Sequence, residues 1–254
     1  MWTLARSQSP VLATAIHDGH AVRPELLDRF ALGEADRLRE EDPFTGQAAA
    51  AHANHLIAHR SRFEVDLNRG EAEAVYVTPE QSWGLEVWRS PLSDAVIAAS
   101  LAYHRRFYAQ TRQVLDQMAE DHRRFVVLDL HSYNHRRDGP DAPPTPPAEA
   151  PDINIGTFSM PRERWAWLLE PVMETIAAFD FAGRRLDVRE NVAFQGKGEL
   201  TRIVHQAWPE QGCAIAFEFK KVFMDEWTGE PDSRALGAMR GLVAEVVRVI
   251  EARL

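Results

Sequence analysis

Apolar residues along the chain follow two periodicities. Short apolar runs predict strands at Val11–His17, Arg62–Asn68, Phe125–His131, Asp152–Thr157, Leu186–Ala193 and Cys213–Phe219. Longer stretches with apolar residues at helical spacing predict helices at about Pro24–Phe30, Gly46–Arg60, Asp94–Asp121, Pro161–Phe179 and Arg234–Leu254. The clearest is 94–121, where Val96, Ile97, Leu101, Tyr103, Phe107, Tyr108, Val114, Leu115 and Met118 keep that spacing. Ser93 or Asp94 can cap its start, and Pro161 suits a first helical position. Strands alternating with helices predict an α/β fold with a mixed, mostly parallel sheet covered on both faces, a three-layer α/β/α arrangement. A proline-rich loop at about 139–151 breaks the regularity; it can be neither helix nor central strand. Strand patterns continue on both sides of it, so residues 1–254 read as a single domain.

Composition narrows the class. The one cysteine, Cys213, excludes an internal disulfide and points to a reducing, cytoplasmic setting. It lies in the apolar run Cys213-Ala214-Ile215-Ala216-Phe217 and reads as a core residue rather than a nucleophile. The formal net charge of −9 disfavours nucleic acid and anionic membranes as partners. Met1–Arg6 is too short and polar for a signal peptide, and no run approaches a membrane span. An oligomer is compatible with all of this.

Candidate chemistry collects where the apolar runs end. Val126-Val127-Leu128-Asp129-Leu130-His131-Ser132 reads as a buried parallel strand carrying an imidazole at its C-terminal end, and Val11–His17 repeats the pattern before Asp18-Gly19-His20. Ligands gather at that edge of open α/β sheets. Two neutral imidazoles meeting there would suit zinc; the alternative is a pair of hydrogen-bonded core histidines. Asp129 shares the strand face of His131 and could orient it. For a third ligand His20, Glu41 and Asp42 all stand near enough in sequence, the last two in the acidic turn Glu40-Glu41-Asp42-Pro43. His52, His55 and His59 fall on one face of the expected 46–60 helix, more simply read as a solvated face. Asn68 and Arg69 end the Arg62–Asn68 run; the planar guanidinium fork of Arg69 matches a carboxylate, as in an amino-acid-like substrate, although a surface ion pair would explain it too. Glu218 stands inside the apolar run Phe217-Glu218-Phe219; burial would raise its pKa into the range of a general base. Asn191–Gly198 is a glycine-bearing loop too weak in pattern to claim a phosphate.

Five segments in this order resemble the N-formylglutamate amidohydrolase family, within the zinc carboxypeptidase-like hydrolases. They are Ile16-His17-Asp18-Gly19, Arg62–Arg69, Leu128-Asp129-Leu130-His131-Ser132, Asn191–Gly196 and Phe217-Glu218-Phe219-Lys220-Lys221. The resemblance implies a zinc carboxypeptidase-like (phosphorylase/hydrolase-like) fold and a single hydrolase domain. It further implies one zinc ion per chain on His17, His131 and Asp42; His20, which has no counterpart in the family pattern, and Glu41 stay as alternative third ligands on their place in the sequence alone. Glu218 matches the general base, Arg62 an arginine that polarises the scissile carbonyl, and Asn68 with Arg69 the pair that grips a substrate carboxylate. The implied activity is hydrolysis of the amide of an N-acyl acidic amino acid such as N-formylglutamate. A carboxypeptidase-like metallopeptidase on small peptides, or a non-catalytic metal- or ligand-binding relative, are the alternatives. The chain departs from the family pattern at Ile16, where proline is usual, and at Lys220-Lys221, where arginines are common.

Overall fold

A computed structural model describes all residues, 1–254. Its frame is one seven-stranded sheet in the order β1-β3-β2-β4-β7-β5-β6. The strands are β1 (Trp2–Ala5), β2 (Val11–Ala15), β3 (His55–Ala58), β4 (Phe125–Tyr133), β5 (Ile153–Gly156), β6 (Val188–Glu190) and β7 (Gly212–Lys220). β3, β2, β4 and β7 run parallel, as do β5 and β6; β1 is antiparallel to β3, and β5 to β7. The sheet is therefore mixed and mostly parallel. The helices are α1 (Glu34–Glu40), α2 (Thr45–Ala49), α3 (Asp94–Asp121), α4 (Arg162–Ala178), α5 (Glu199–Ala207) and α6 (Ser233–Glu251).

Side-chain alternation along each strand decides what the two faces carry. Val11, Ala13 and Ala15 of β2, Val126, Leu128 and Leu130 of β4, and Cys213, Ile215, Phe217 and Phe219 of β7 pack with α4 and α6. Leu12 of β2, Phe125 and Val127 of β4, and Ala214 of β7 pack instead with α3 and α5. With every strand residue from Val11 to Ala15 and from Phe125 to Tyr133 buried, both faces are covered, which is why these strands read as nearly unbroken apolar runs. Continuing the same alternation puts Asp129 and His131 of β4 and Glu218 of β7 on the α3/α5 face, near the strands' C-terminal ends.

The chain turns from β2 to β3 on one side, then crosses through α3 to β4 on the other. The strand order thus reverses between β2 and β4, the position at which open α/β sheets bind ligands.

Two expected elements are overturned. The 46–60 region is not one helix: α2 stops at Ala49, and His55–Ala58 forms β3 between β1 and β2. The alanine run favours helix locally, but Leu56, Ile57 and Ala58 gain burial and two strand partners as a strand. His52, His55 and His59 consequently share no helix face; their imidazoles bind the Val11 carbonyl, the His52 carbonyl and the Thr3 hydroxyl. Arg62–Asn68 is not a strand either. Glu64 and Val65 donate backbone bonds to the Ser61 carbonyl, and Asp66 to that of Ala74, which makes a chain of turns. Its period-2 apolar residues serve different clusters, Phe63 in one and Val65 and Leu67 in another. Pro24–Arg29 is a 3₁₀ turn, and α1, α5, β1 and β3 add elements that the pattern missed. Pro161 caps α4 from outside rather than opening its first turn. The proline-rich loop returns to the body at its far end, where Lys220 Nζ donates to the Ala150 carbonyl at 2.9 Å and the Tyr133 hydroxyl to that of Pro151.

Candidate active site

At the β2/β4 switch point three buried side chains converge: His17, Asp42 and His131, with candidate ligand atoms all within 4.8 Å of one another. His17 follows the end of β2, His131 lies near the end of β4, and Asp42 comes from the turn after α1, whose backbone N–H donates to the His17 carbonyl at 3.0 Å. The imidazole rings stand 5.0 Å apart at 68°.

Each imidazole is backed by its own carboxylate. His17 Nε2 donates to Asp66 Oδ1 at 2.6 Å, and His131 Nε2 to Asp129 Oδ2 at 3.2 Å. Asp66 and Asp129 each face a single imidazole whereas Asp42 is shared by both, which favours a proton on each Nε2. In the neutral rings both Nδ1 atoms are then lone pairs, 3.4 Å and 3.0 Å from the same oxygen, Asp42 Oδ2. Three electron-rich atoms facing one point repel one another unless a cation lies between them. The carboxylate-backed imidazole is also how proteins fix the tautomer and raise the basicity of metal-binding histidines. The donor set therefore fits a metal ion, and two nitrogens with one oxygen suit zinc-type ions.

With no cation between them, the carboxylates draw protons onto the rings instead. Burial alone would lower the pKa of His131, but the negative charges of Asp129 and Glu218 overrule it and hold it well above its usual value. Asp42 is held far below the carboxylate range because, against the cost of burial, both imidazoles bond to it. Asp66 is likewise kept ionised by Arg62 and His17 despite complete burial. Thr14 donates to Asp129 at 2.6 Å, and Arg62 Nη2 at 3.0 Å and the Tyr76 hydroxyl both donate to Asp66 Oδ2. Unpaired buried carboxylates are costly, so these contacts are what permit so much negative charge around one cluster.

Glu218 stands opposite His131 in the β4/β7 register, on the same face and almost wholly buried. Burial pushes its pKa up to about 7, which lets it accept a proton and give it back near neutrality. Beyond it Lys221, also buried, donates from Nζ to the carbonyls of Arg39 and Glu41. This ties the end of β7 to the turn that presents Asp42.

The alternative third ligands are engaged elsewhere. His20 and Glu41 bind each other, and Glu41 also accepts from Ser61. Arg62 lies beside the cluster, bound to Asp66 and stacked 4.7 Å over Trp83. Asn68 and Arg69 line a cavity of about 640 Å³ whose wall includes His131 and Glu218. Arg69 Nη2 donates to the Gln81 carbonyl at 2.9 Å, and its Nε lies 3.7 Å from Asp66.

Loop 191–198 forms the opposite wall of that cavity. Buried Asn154 shapes it: its Oδ1 accepts from the backbone of Val192 and Ala193, and its Nδ2 donates to Phe194. Gly196, at φ +75°, passes so close to Gly156 that a Cβ would meet backbone at 2.6 Å. Asp66, Tyr76 and Asn154 were not singled out from the sequence, and Lys221 only as a departure from the family pattern. Asp66 lay in view, midway between Arg62 and Arg69, but only the fold brings it to His17.

A family model described as N-formylglutamate amidohydrolase matches residues 9–224 of the chain. Among solved structures the chain is similar to N-formylglutamate amidohydrolase from Ralstonia eutropha JMP134, at 16% identity and a TM-score of 0.73, over 99% of this chain and 97% of that one. It is also similar to a gene product of Agrobacterium tumefaciens, at 18% identity and a TM-score of 0.68, over 99% of this chain and 95% of the other. No curated protein matches. At such identities the structures speak for the fold, whereas the family match takes in every residue of the cluster and Glu218. The chain belongs to the N-formylglutamate amidohydrolase family, a family of hydrolases.

Proposed function

We propose that the protein is a zinc-dependent amidohydrolase that cleaves the amide of an N-acylated acidic amino acid, N-formylglutamate being the reference substrate. The observation that carries the proposal is the pair of carboxylate-backed imidazoles converging with Asp42 beside a buried carboxylate, Glu218. His17, His131 and Asp42 would hold the ion. A zinc ion supplies Lewis acidity toward a carbonyl oxygen and toward water.

The remaining chemistry belongs to the chain. Glu218 takes a proton from the attacking water and delivers it to the leaving nitrogen, a task suited to a carboxyl with a pKa near 7. Arg62, half-buried and held charged by Asp66, stabilises the negative charge that develops on the carbonyl oxygen. Asn68 and Arg69 orient the substrate through its free carboxylate. Thr14, Asp66, Tyr76 and Asp129 fix the rings and the guanidinium. No helix is long and apolar enough to cross a membrane.

The test is hydrolysis of N-formylglutamate by purified protein, before and after chelation and after return of zinc. The proposal expects formate and glutamate to be released, release to stop on chelation, and zinc to restore it. Unchanged hydrolysis in the metal-stripped protein would refute the zinc dependence, and no hydrolysis of any N-acyl amino acid with zinc loaded would refute the activity.

A further inference from the structure

Asn68 and Arg69 stand on a segment of turns, outside any helix or strand. Such a segment presents a binding pair in one orientation only if its backbone is held from outside. Here the backbone of the pair is held at every polar group. The Asn68 N–H donates to Asp66 Oδ1 at 2.8 Å, and the Arg69 N–H to the Asp66 carbonyl at 3.4 Å. The carbonyls of Leu67, Asn68 and Arg69 each accept from a different donor. The Tyr108 hydroxyl of α3 donates to Leu67, and the Glu199 N–H that opens α5 donates to Asn68 at 3.1 Å. His104 Nε2 of α3 donates to Arg69 at 2.9 Å.

The two side chains, by contrast, keep capacity free. Asn68 Oδ1 has no hydrogen-bond partner. In the Arg69 guanidinium, Nη2 binds the Gln81 carbonyl and Nε lies 3.7 Å from Asp66, which leaves Nη1 uncommitted. Asp66 Oδ1 also accepts from His17 Nε2, so one oxygen sets the pair and the first imidazole relative to each other.

α3 does not depend on His104 and Tyr108 for its own docking. Tyr103, Phe107, Val114, Leu115 and Met118 seat it on the sheet through apolar contact. His104 and Tyr108 stand one turn apart, with ring centroids 4.8 Å apart, and send their donors to the carbonyls on either side of Asn68. At the start of α5, Gly198 makes room for the Asn68 amide: a Cβ there would lie 2.0 Å from Asn68 Oδ1. The Gly198 φ of −64° is open to any residue, so this glycine answers to its neighbour's side chain and not to a backbone constraint.

Resting on the amidohydrolase reading above, we infer that His104, Tyr108 and Gly198 are positioning residues for the substrate carboxylate. They act through Asn68 and Arg69. α3 fixes the two carbonyls around Asn68, and the start of α5 sets the space in which its amide turns. The preference for a free acid is thus set from behind the cavity wall, by two helices that hold the gripping pair in place.

The experiment measures kcat and KM of the zinc-loaded protein for N-formylglutamate and for its diamide, which has no carboxylate left to read. The proteins are wild type, Tyr108→Phe, His104→Leu, His104→Gln and Gly198→Ala, each with its thermal unfolding recorded. The acid-to-diamide ratio of kcat/KM should fall about fivefold in Tyr108→Phe, His104→Leu and Gly198→Ala, the effect of roughly one lost hydrogen bond. The loss should lie chiefly in KM, because the carboxylate is gripped in the ground and transition states alike. His104→Gln keeps a donor near the place of Nε2 and should recover most of the ratio. Gly198→Ala leaves α3 untouched, so it reads the same ratio even where a helix variant fails to fold. A purely structural role slows both substrates equally, so an unchanged ratio in the folded variants would overturn the inference and leave the amidohydrolase reading standing. Equal wild-type kcat/KM for acid and diamide would remove the carboxylate grip and the inference with it. No hydrolysis by wild type would overturn both readings.

Discussion

Phe217 and Glu218 are neighbours in β7, yet they belong to opposite worlds. Phe217 faces α4 and α6 in a layer where Ile215 and Phe219 above and below it, Leu128 and Leu130 of β4, and Trp165, Leu168 and Val172 of α4 are all apolar. Glu218 faces the α3/α5 side, where the apolar packing of Leu12, Val127 and Ala214 gives way toward the strand ends to Asp129, His131 and Glu218 itself. One face holds the sheet together through burial of apolar surface, which is favourable wherever shapes match. The other places charges beside one another, which is unfavourable unless each has a partner or a cation. The stable face makes the costly arrangement on the other possible, because β4 and β7 are fixed by one layer and free to carry chemistry on the other.

The comparison can be broken from either side. The largest effect should come from the apolar face: Phe217→Ala leaves a cavity at a fully buried position and should lower unfolding free energy by about 3–5 kcal/mol. Denaturant unfolding measures this, and a loss under about 1 kcal/mol would show that the layer is not the stabilising one. On the other face Glu218→Gln keeps shape but cannot take a proton. Turnover should drop at least about a hundredfold with metal content and unfolding midpoint retained. Near wild-type kcat in that variant would remove Glu218 from the mechanism.

Further out, Arg69→Ala should cost roughly 2 kcal/mol in kcat/KM toward a free-acid substrate and much less toward the corresponding amide. Because Arg69 also binds the Gln81 carbonyl, an equal loss on both substrates would assign it a structural role instead.

The smallest effect concerns α5. β5 ends at Gly156, opposite Ala216, so the Ala214 N–H has no strand partner on that edge. His205 Nε2 supplies one, accepting from Ala214 at 2.9 Å, while its Nδ1–H donates to Ser159 Oγ. Burial lowers the His205 pKa to about 4, so the fold favours the neutral ring. Its contribution to stability is complete above pH 6.5 and is lost as pH falls toward 4. That amounts to about 1 kcal/mol by pH 5.5. His205→Gln keeps an acceptor and does not titrate, so its stability should fall less steeply than that of wild type between pH 6.5 and 5. Parallel curves would refute this account.

The same two faces explain what the sequence disclosed. α3 and the buried strands β4 and β7 were legible because their surroundings are uniform; an unbroken apolar run or a long helical stripe has few other readings. His17, His131 and Glu218 stood out as polar groups closing or interrupting such runs. β3 was hidden behind Ala48–Ala51, whose helical preference extends no farther than α2 once the strand finds partners on both sides. The Arg62–Asn68 run mimicked a strand because a chain of turns sends Phe63 into one cluster and Val65 and Leu67 into another while keeping their period-2 spacing in sequence. Asp66 and Lys221 were illegible for a different reason. Each acts through a contact with a distant segment, Asp66 on His17 and Lys221 on the turn before Asp42, and no local pattern records a partner so far away in sequence.

The central claim is that His17, His131 and Asp42 form a cation site rather than a self-contained hydrogen-bonded cluster. Metal content of the purified protein by elemental analysis tests it most directly, on wild type, His17→Ala and His131→Ala, each with circular dichroism as a check on folding. The account predicts about one zinc per chain in wild type and essentially none in either folded variant. A wild-type protein that binds no zinc even when it is supplied, or a variant that keeps its full complement, would contradict it.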